Sequence, residues 1–362
     1  VDDDGDLDLV GVGGSTPTML FRNTGSTLVA ETNLGILNAN CGALGDANDD
    51  GRADLYVGVQ SGPDLLFLSN GTTLAIPLTS PFVPNNTSSP TAVAWGDLDG
   101  DGTLDLAAAT NDGSADRVYL GTGTSLVPNP AWISPQQRNS RGVAWLDANG
   151  DGALDLGLAY DEDADEGFLN AGSAPGWLSS TPEWVADDVR DSRSLAAADV
   201  DNDGDPDIAV GFDGQATAIY RVLNYGMESG TAFTSPLAGL GLALGDFDGD
   251  GLPDIAVANP NGSNLVFRSQ GPNTLPTAAW NDGLTEASQA VAWGDIDGDG
   301  DLDLAVANGN APNRVWRSGG STGIFTQAWA STESDDSRDL AFADVDGDGD
   351  LDLAVANNGP AP

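Results

Sequence analysis

The residues that could do chemistry in this chain are carboxylates set at alternate positions around a glycine. In the stretch Gly294-Asp295-Ile296-Asp297-Gly298-Asp299-Gly300-Asp301-Leu302-Asp303, Asp295, Asp297 and Asp299 hold positions one, three and five of a nine-residue loop. Gly300 follows at position six, where the backbone must turn sharply without a Cβ. Three acids alternating along a tight turn can aim at one point, and Asp303 at position nine can close the cage from the other side. Hard oxygen donors at this spacing suit a divalent cation in a flexible cage, which favours calcium over the stricter octahedron of magnesium. Zinc prefers Cys and His, and the chain has one Cys and no His.

Asp and Gly are also ordinary turn residues, so one such loop would say little. Here the loop recurs. Complete copies carry Asp46, Asn48, Asp50 and Asp54; Asp97, Asp99, Asp101 and Asp105; Asp147, Asn149, Asp151 and Asp155; Asp199, Asp201, Asp203 and Asp207. Three more carry Asp246, Asp248, Asp250 and Asp254; Asp295, Asp297, Asp299 and Asp303; Asp344, Asp346, Asp348 and Asp352. A truncated copy at the start retains Asp2, Asp4 and Asp8. From Asp8 onward the closing acids are spaced by 46, 51, 50, 52, 47, 49 and 49 residues. A fixed period of about fifty residues signals a repeat array, here read as one domain over 1–362. Asn48 and Asn149 each remove one charge, which predicts that those two loops release calcium first.

Composition excludes several functions. The net charge is −44, from 56 acidic and 12 basic residues, and all twelve basic residues are arginine. Nucleic acid and anionic membrane are repelled by such a surface, and no long apolar run predicts insertion into a bilayer. Without histidine there is no Ser-His-Asp triad, Cys-His pair or H-E-x-x-H motif. The many carboxylates are better explained by coordination than by the single placed acid pair of a glycosidase. Cys41 is alone, so no internal disulfide forms, and its strand pattern predicts a small buried residue. The chain starts inside a loop and stops inside a repeat, as a piece of a longer protein would.

The elements that must position these loops are short strands. A first strand precedes each loop, as in Ala290–Gly294, with alternating large and small residues that predict burial on both faces. A second strand follows the loop (Leu302–Ala307), then a turn, a third strand (Arg314–Arg317) and a weaker fourth carrying Trp132, Trp184, Trp280 or Trp329. No helical periodicity is present. Four antiparallel strands per period form the blade of a β-propeller.

The string G-D-x-D-x-D-G-x-x-D-L-x-V-x, as in 294–307 and 343–356, resembles the FG-GAP/VCBS repeat, found in integrin α-subunit propellers and bacterial surface proteins. Its opening half also resembles an EF-hand loop, but it ends at position nine with Asp and leads into a strand. The resemblance covers the whole chain. It implies calcium held by side chains at positions one, three, five and nine with a backbone carbonyl at seven, that of Asp301 in the loop from Asp295. It further implies an extracellular or cell-surface protein, bacterial or archaeal, that is not an enzyme. Its partners would be a protein or glycan at the cell surface, or further copies of itself.

Together these readings predict an all-β, seven-bladed β-propeller of four-stranded antiparallel blades, with a calcium loop between the first and second strand of each and about seven Ca²⁺ ions. The first strand Leu340–Ala343 is expected to complete the blade begun at the N-terminus, with Leu351–Ala356 displacing Leu7–Val12. The predicted function is a calcium-stabilised binding or structural module in adhesion or surface assembly. The alternatives are a lectin and a filament subunit linked through its terminal strands. Trp95, Trp145 and Trp293 fit the core, and the fourth-strand tryptophans fit blade packing better than sugar stacking. Just before the first strand, Arg141, Arg193 and Arg338 align as candidates for an acidic ligand. Pairing with neighbouring acids is the more economical reading.

Overall fold

The computed structural model describes residues 7–14, 16–24, 28–71, 74–75, 88–172, 177–187, 189–223, 226–227, 233–271, 274, 276–346 and 348–358. The chain packs as two compact units, Val1–Val185 with Val345–Gly347, and Ala186–Asp344 with Asp348–Pro362.

The first unit opens with the sheet β1 (Leu9–Gly11), β2 (Met19–Asn23) and β3 (Leu28–Asn33). Three four-stranded blades follow. They are β4 (Ala39–Gly45), β5 (Asp54–Val59), β6 (Leu65–Ser69) and β7 (Leu74–Ala75); β8 (Pro90–Gly96), β9 (Asp105–Thr110), β10 (Arg117–Tyr119) and β11 (Trp132–Ile133); and β12 (Ser140–Leu146), β13 (Asp155–Tyr160), β14 (Glu166–Phe168) and β15 (Trp184–Val185).

In the second unit β16 (Ser192–Ala198), β17 (Asp207–Tyr220) and β20 (Phe233–Gly239) form a three-stranded blade, beside the small hairpin β18 (Val222–Leu223) and β19 (Gly226–Met227). Two four-stranded blades follow: β21 (Gly241–Gly245), β22 (Asp254–Ala258), β23 (Leu265–Arg268) and β24 (Thr277–Asn281), then β25 (Ala287–Gly294), β26 (Asp303–Gly309), β27 (Arg314–Ser318) and β28 (Phe325–Ala330). The hairpin β29 (Ser337–Ala343) and β30 (Asp352–Asn357) is a two-stranded sheet. All strand pairs are antiparallel.

Among the described residues this is an all-β propeller fold with six blades, flanked by the N-terminal three-stranded sheet and the C-terminal two-stranded hairpin, and not the seven blades expected. The seventh was to come from the two ends sharing a sheet. Instead β1 keeps the place beside β2, in the register Leu9↔Phe21, Val10↔Leu20, Gly11↔Met19. Among the described residues β30 pairs only with β29, so Leu351–Ala356 does not displace the N-terminal strand. The reason lies in Asp8: its Oδ1 accepts the Asn23 N–H at 2.8 Å and ties the start of β1 to the end of β2 even though the loop before it is incomplete.

Two further expectations change. The first strands are not buried on both faces; β8, β12 and β25 are sheet edges whose residues are mostly half-buried. The second strands take the interior, and every residue of β9, β13, β22 and β26 is buried. In the fifth repeat the separate second and third strands merge into the single β17, with register irregularities between Phe212 and Ala218.

Neighbouring blades share their cores. Leu98, Ala107 and Val118 of one blade pack with Leu156, Leu158 and Phe168 of the next. Glycine at the end of a first strand makes room for the next blade's aromatic ring. A Cβ on Gly45, Gly96 or Gly245 would fall 2.8, 2.6 or 2.8 Å from Cδ1 of Trp95, Trp145 or Trp293. Trp145 and Trp293 donate their indole N–H to the preceding blade's first strand, at Ala94 O (3.1 Å) and Ala243 O (3.2 Å). Trp132 and Trp184 are buried and Trp329 is exposed. Cys41 is half-buried on β4, with its thiol pushed up to about 12 by burial.

Candidate metal loops

Each complete loop is a cradle of backbone N–H groups folded around its own acids. The position-one carboxylate accepts two of them, and in the loop from Asp295 these are Asp299 N at 3.1 Å and Gly300 N at 3.0 Å. The same pair recurs at Asp46, Asp97, Asp147, Asp199 and Asp246, between 2.7 and 3.1 Å. At Asp344 the Gly349 N–H is the donor. The position-five acid accepts from position seven, as in Asp301 N to Asp299 Oδ1 at 3.0 Å. This wrapping needs left-handed backbone twice. Position six is always glycine, with φ from +85° to +100°. Position four is also left-handed, at Asp49, Gly100, Gly150, Asn202, Gly249 and Gly298.

The outcome is convergence. In the loops from Asp97, Asp199, Asp246, Asp295 and Asp344 the carboxylates at positions one, three and five lie within 4.8 Å of one another. Asn48 and Asn149 turn their Oδ1 inward to the N–H of Asp50 and Asp151, at 3.0 and 2.9 Å. Asp2 and Asp4 lie outside the described residues. Burial first, then the Asp101 charge, raises the Asp99 carboxyl above the usual carboxylate range, and burial raises Asp201 and Asp248. Asp201 Oδ1 is buried with no hydrogen-bond partner. An oxygen-only donor set with an acceptor left open inside it fits a divalent cation.

The closing acids have a second occupation that spacing alone does not reveal. Asp54, Asp105, Asp155, Asp207, Asp254 and Asp303 are fully buried. Each accepts one N–H from position two of its loop and another from the end of the third strand or just past it, fifteen residues onward, or sixteen at Asp105. Asp254 takes Phe247 N at 3.1 Å and Ser269 N at 2.8 Å; Asp303 takes Ile296 N at 3.2 Å and Ser318 N at 2.6 Å. Burial pushes Asp105 and Asp303 up to about 6 and Asp207 and Asp254 up to about 7. They do not join the convergent groups among the described residues. Position two is the other hidden anchor: Ala47, Leu98, Ala148, Val200 and Phe247 are buried, and Phe247 stacks on Trp293 at 5.8 Å. The apolar residue between two acids was the signal for it.

The three arginines expected just before the first strands lie inside them, on β-bulges. The register slips between Ser140 and Gly142, Ser192 and Ser194, and Ser337 and Asp339, which re-aims Arg141, Arg193 and Arg338. All three are paired: Arg141 with Asp161 (2.7 Å), Arg193 with Asp191 (2.9 Å) and Asp213 (3.1 Å), Arg338 with Asp336 (2.7 Å). Arg138 pairs with Asp163 (3.1 Å) and Glu166 (3.0 Å), so two arginines offset part of the charge of the acidic run 161–166.

Six propeller blades, carrying acid-lined turns between their first and second strands, define a repeat-built β-propeller. The FG-GAP-like repeat matches residues 46–108, 97–158, 246–306 and 295–355, and the FG-GAP repeat matches 193–220. These spans cover more than half of the chain, which belongs to the FG-GAP repeat family. No curated protein matches it in sequence.

Among solved structures it is similar to Sqt1 of Saccharomyces cerevisiae (TM-score 0.67, 10% identity, 98% of this chain and 91% of that one). It is also similar to BBS1N, solved in complex with ARL6DN (TM-score 0.56, 15% identity, 94% of each chain). A third is a candidate 6-phosphogluconolactonase of Bacteroides uniformis ATCC 8492 (TM-score 0.59, 14% identity, 89% of this chain and 94% of that one). At these identities the likeness is one of fold. Among the described residues no helix is long and apolar enough to cross a membrane.

Proposed function

We propose that this chain is a calcium-stabilised, non-enzymatic propeller that works outside the cell or on its surface, as a binding or structural module in adhesion or surface assembly. The observation that carries the reading is the convergence of three carboxylates within 4.8 Å in five loops, each wrapped by its own backbone N–H groups. Acids packed this closely repel one another, and a cation removes that repulsion while cross-linking the first and second strands of a blade. Positions one, three and five would supply the ligands, with position nine and the carbonyl at seven completing the set. The ion would supply positive charge and rigidity. Extracellular calcium modules bind with Kd of about 10⁻⁴–10⁻³ M, so such loops fill outside the cell and stay empty in cytosol.

Calorimetric titration of the chelator-stripped chain with calcium is the test. Uptake of about seven ions that raises the melting temperature supports the reading; a titration with no heat and an unmoved melting curve overturns it. One observation favours a second reading, a lectin: Trp329 on β28 leaves an indole 47% exposed, as sugar stacking requires. Binding on a glycan array that Trp329→Ala abolishes would select it.

A further inference from the structure

Among the described residues, three of the acid loops carry a built-in cation. Arg221, Arg268 and Arg317 each stand at the end of a blade's third strand, twenty residues after a position-three aspartate, and each pairs with it: Arg221 with Asp201 (3.3 Å), Arg268 with Asp248 (2.6 Å) and Arg317 with Asp297 (2.7 Å). Asp201 and Asp248 are almost wholly buried, so these are contacts inside the loops. Arg268 also lies over the Phe247 ring at 5.5 Å and donates to Ser321 O at 3.1 Å, which fixes the guanidinium in place.

The loops without such an arginine differ in their acids. Twenty residues after Asn48 and Asn149 stand Leu68 and Leu169, and at both loops position three is already neutral. Twenty residues after Asp99 stands Tyr119. Counting positions one, three, five and nine together with the strand residue, the loops from Asp147, Asp199, Asp246 and Asp295 all come to −3. The loop from Asp97 comes to −4. The loop from Asp46 also comes to −3, and in it Arg52 at position seven pairs with Asp50 at 3.2 Å.

We infer that Arg221, Arg268 and Arg317 are internal counter-ions that hold down the calcium affinity of their loops, levelling them with the Asn48 and Asn149 loops and leaving the Asp97 loop as the tightest of the six loops from Asp46 to Asp295. This rests on the calcium reading above and adds a ranking that carboxylate number alone does not produce. In the metal-free loop the guanidinium stands in for the ion at position three. A calcium ion arriving there must share or displace it, and one unit charge at about 6 Å from a divalent ion changes affinity by about tenfold in a water-like dielectric.

Calcium binding to the full chain, measured by competition with a chromophoric chelator at constant ionic strength, separates the outcomes. Arg317→Gln, whose side chain is half exposed and whose loss disturbs little packing, and Arg268→Gln should each turn one site about tenfold tighter. Arg317→Lys and Arg268→Lys, which keep the charge, should leave the isotherm as in the parent. Asp99→Asn should bring the Asp97 site down to the level of the other five. If the Gln variants bind as the parent does, or if Lys tightens the site as much as Gln, the counter-ion role is overturned while calcium binding stands. A parent chain that takes up no calcium overturns both.

Discussion

At the scale of single residues, the repeats run their own substitution experiment. Asp64, Asp116, Asp165, Asn264 and Asn313 occupy one equivalent place after the second strand, and each accepts a backbone N–H five or six residues earlier. Asn313 also donates to Ser337 Oγ at 2.9 Å, whereas Asp116 faces the Ser140 hydroxyl, which offsets only part of the effect of its burial. Burial holds Asp116 up at about 6, above the value of about 3.9 it has when unfolded. Between those values the folded chain keeps a proton that the unfolded chain has lost, so stability falls as pH rises from about 4 to 6. The penalty is absent below that window and complete above it. Asp116→Asn should therefore raise stability at pH 7 by about 1–3 kcal/mol and flatten the pH dependence across the window. Urea denaturation at pH 4 and pH 7 measures this, and an equal effect at both values would contradict it.

At the scale of strands and blades, two contacts carry the geometry. The closing acid staples a loop to the third strand of its own blade. Asp254→Ala should strand Phe247 N and Ser269 N without acceptors in the interior, at a cost of about 2–5 kcal/mol, read as a shift of the urea midpoint. The glycine at the end of a first strand governs the seam between blades. Gly96→Ala should drive a methyl into the Trp145 ring and cost about 1–3 kcal/mol, and Trp145 fluorescence should change with it. A Gly96→Ala chain with an unchanged melting temperature would mean the seam is looser than these distances imply. Gly100→Ala is the matching control: no atom lies within 4 Å of the added methyl, so only the cost of its +70° φ should appear.

At the scale of the whole chain, the charge of −44 repels itself, and bound cations would relieve that repulsion. At ten times its dissociation constant, a ligand bound only to the folded state adds about 1.4 kcal/mol per site. About seven such sites would add roughly 10 kcal/mol, comparable with the entire stability of an ordinary domain. EGTA should lower the melting temperature by tens of degrees, and sodium chloride should recover only a fraction of that by screening. Identical melting curves in calcium and in EGTA would show that the loops hold their shape through backbone hydrogen bonds alone.

Much of this protein is written within ten-residue windows, and those windows are legible. The alternation of acids, the glycine at position six and the apolar run after Asp303 are local requirements of a turn feeding a strand, and the fifty-residue period follows from repeating them. What the tertiary structure alone decided are contests between distant segments. Leu7–Val12 and Leu351–Ala356 are near-copies, and only the Asp8–Asn23 bond shows which one lies beside β2. Nothing local shows that the position-nine acids also gather two buried N–H groups, as Asp155 does from Ala148 seven residues before and Asn170 fifteen after. The pairing of Arg268 with Asp248 likewise spans a loop and two strands. Spacing within a turn is set by covalent geometry, but which partner a buried charge finds is set by packing that brings separate stretches together.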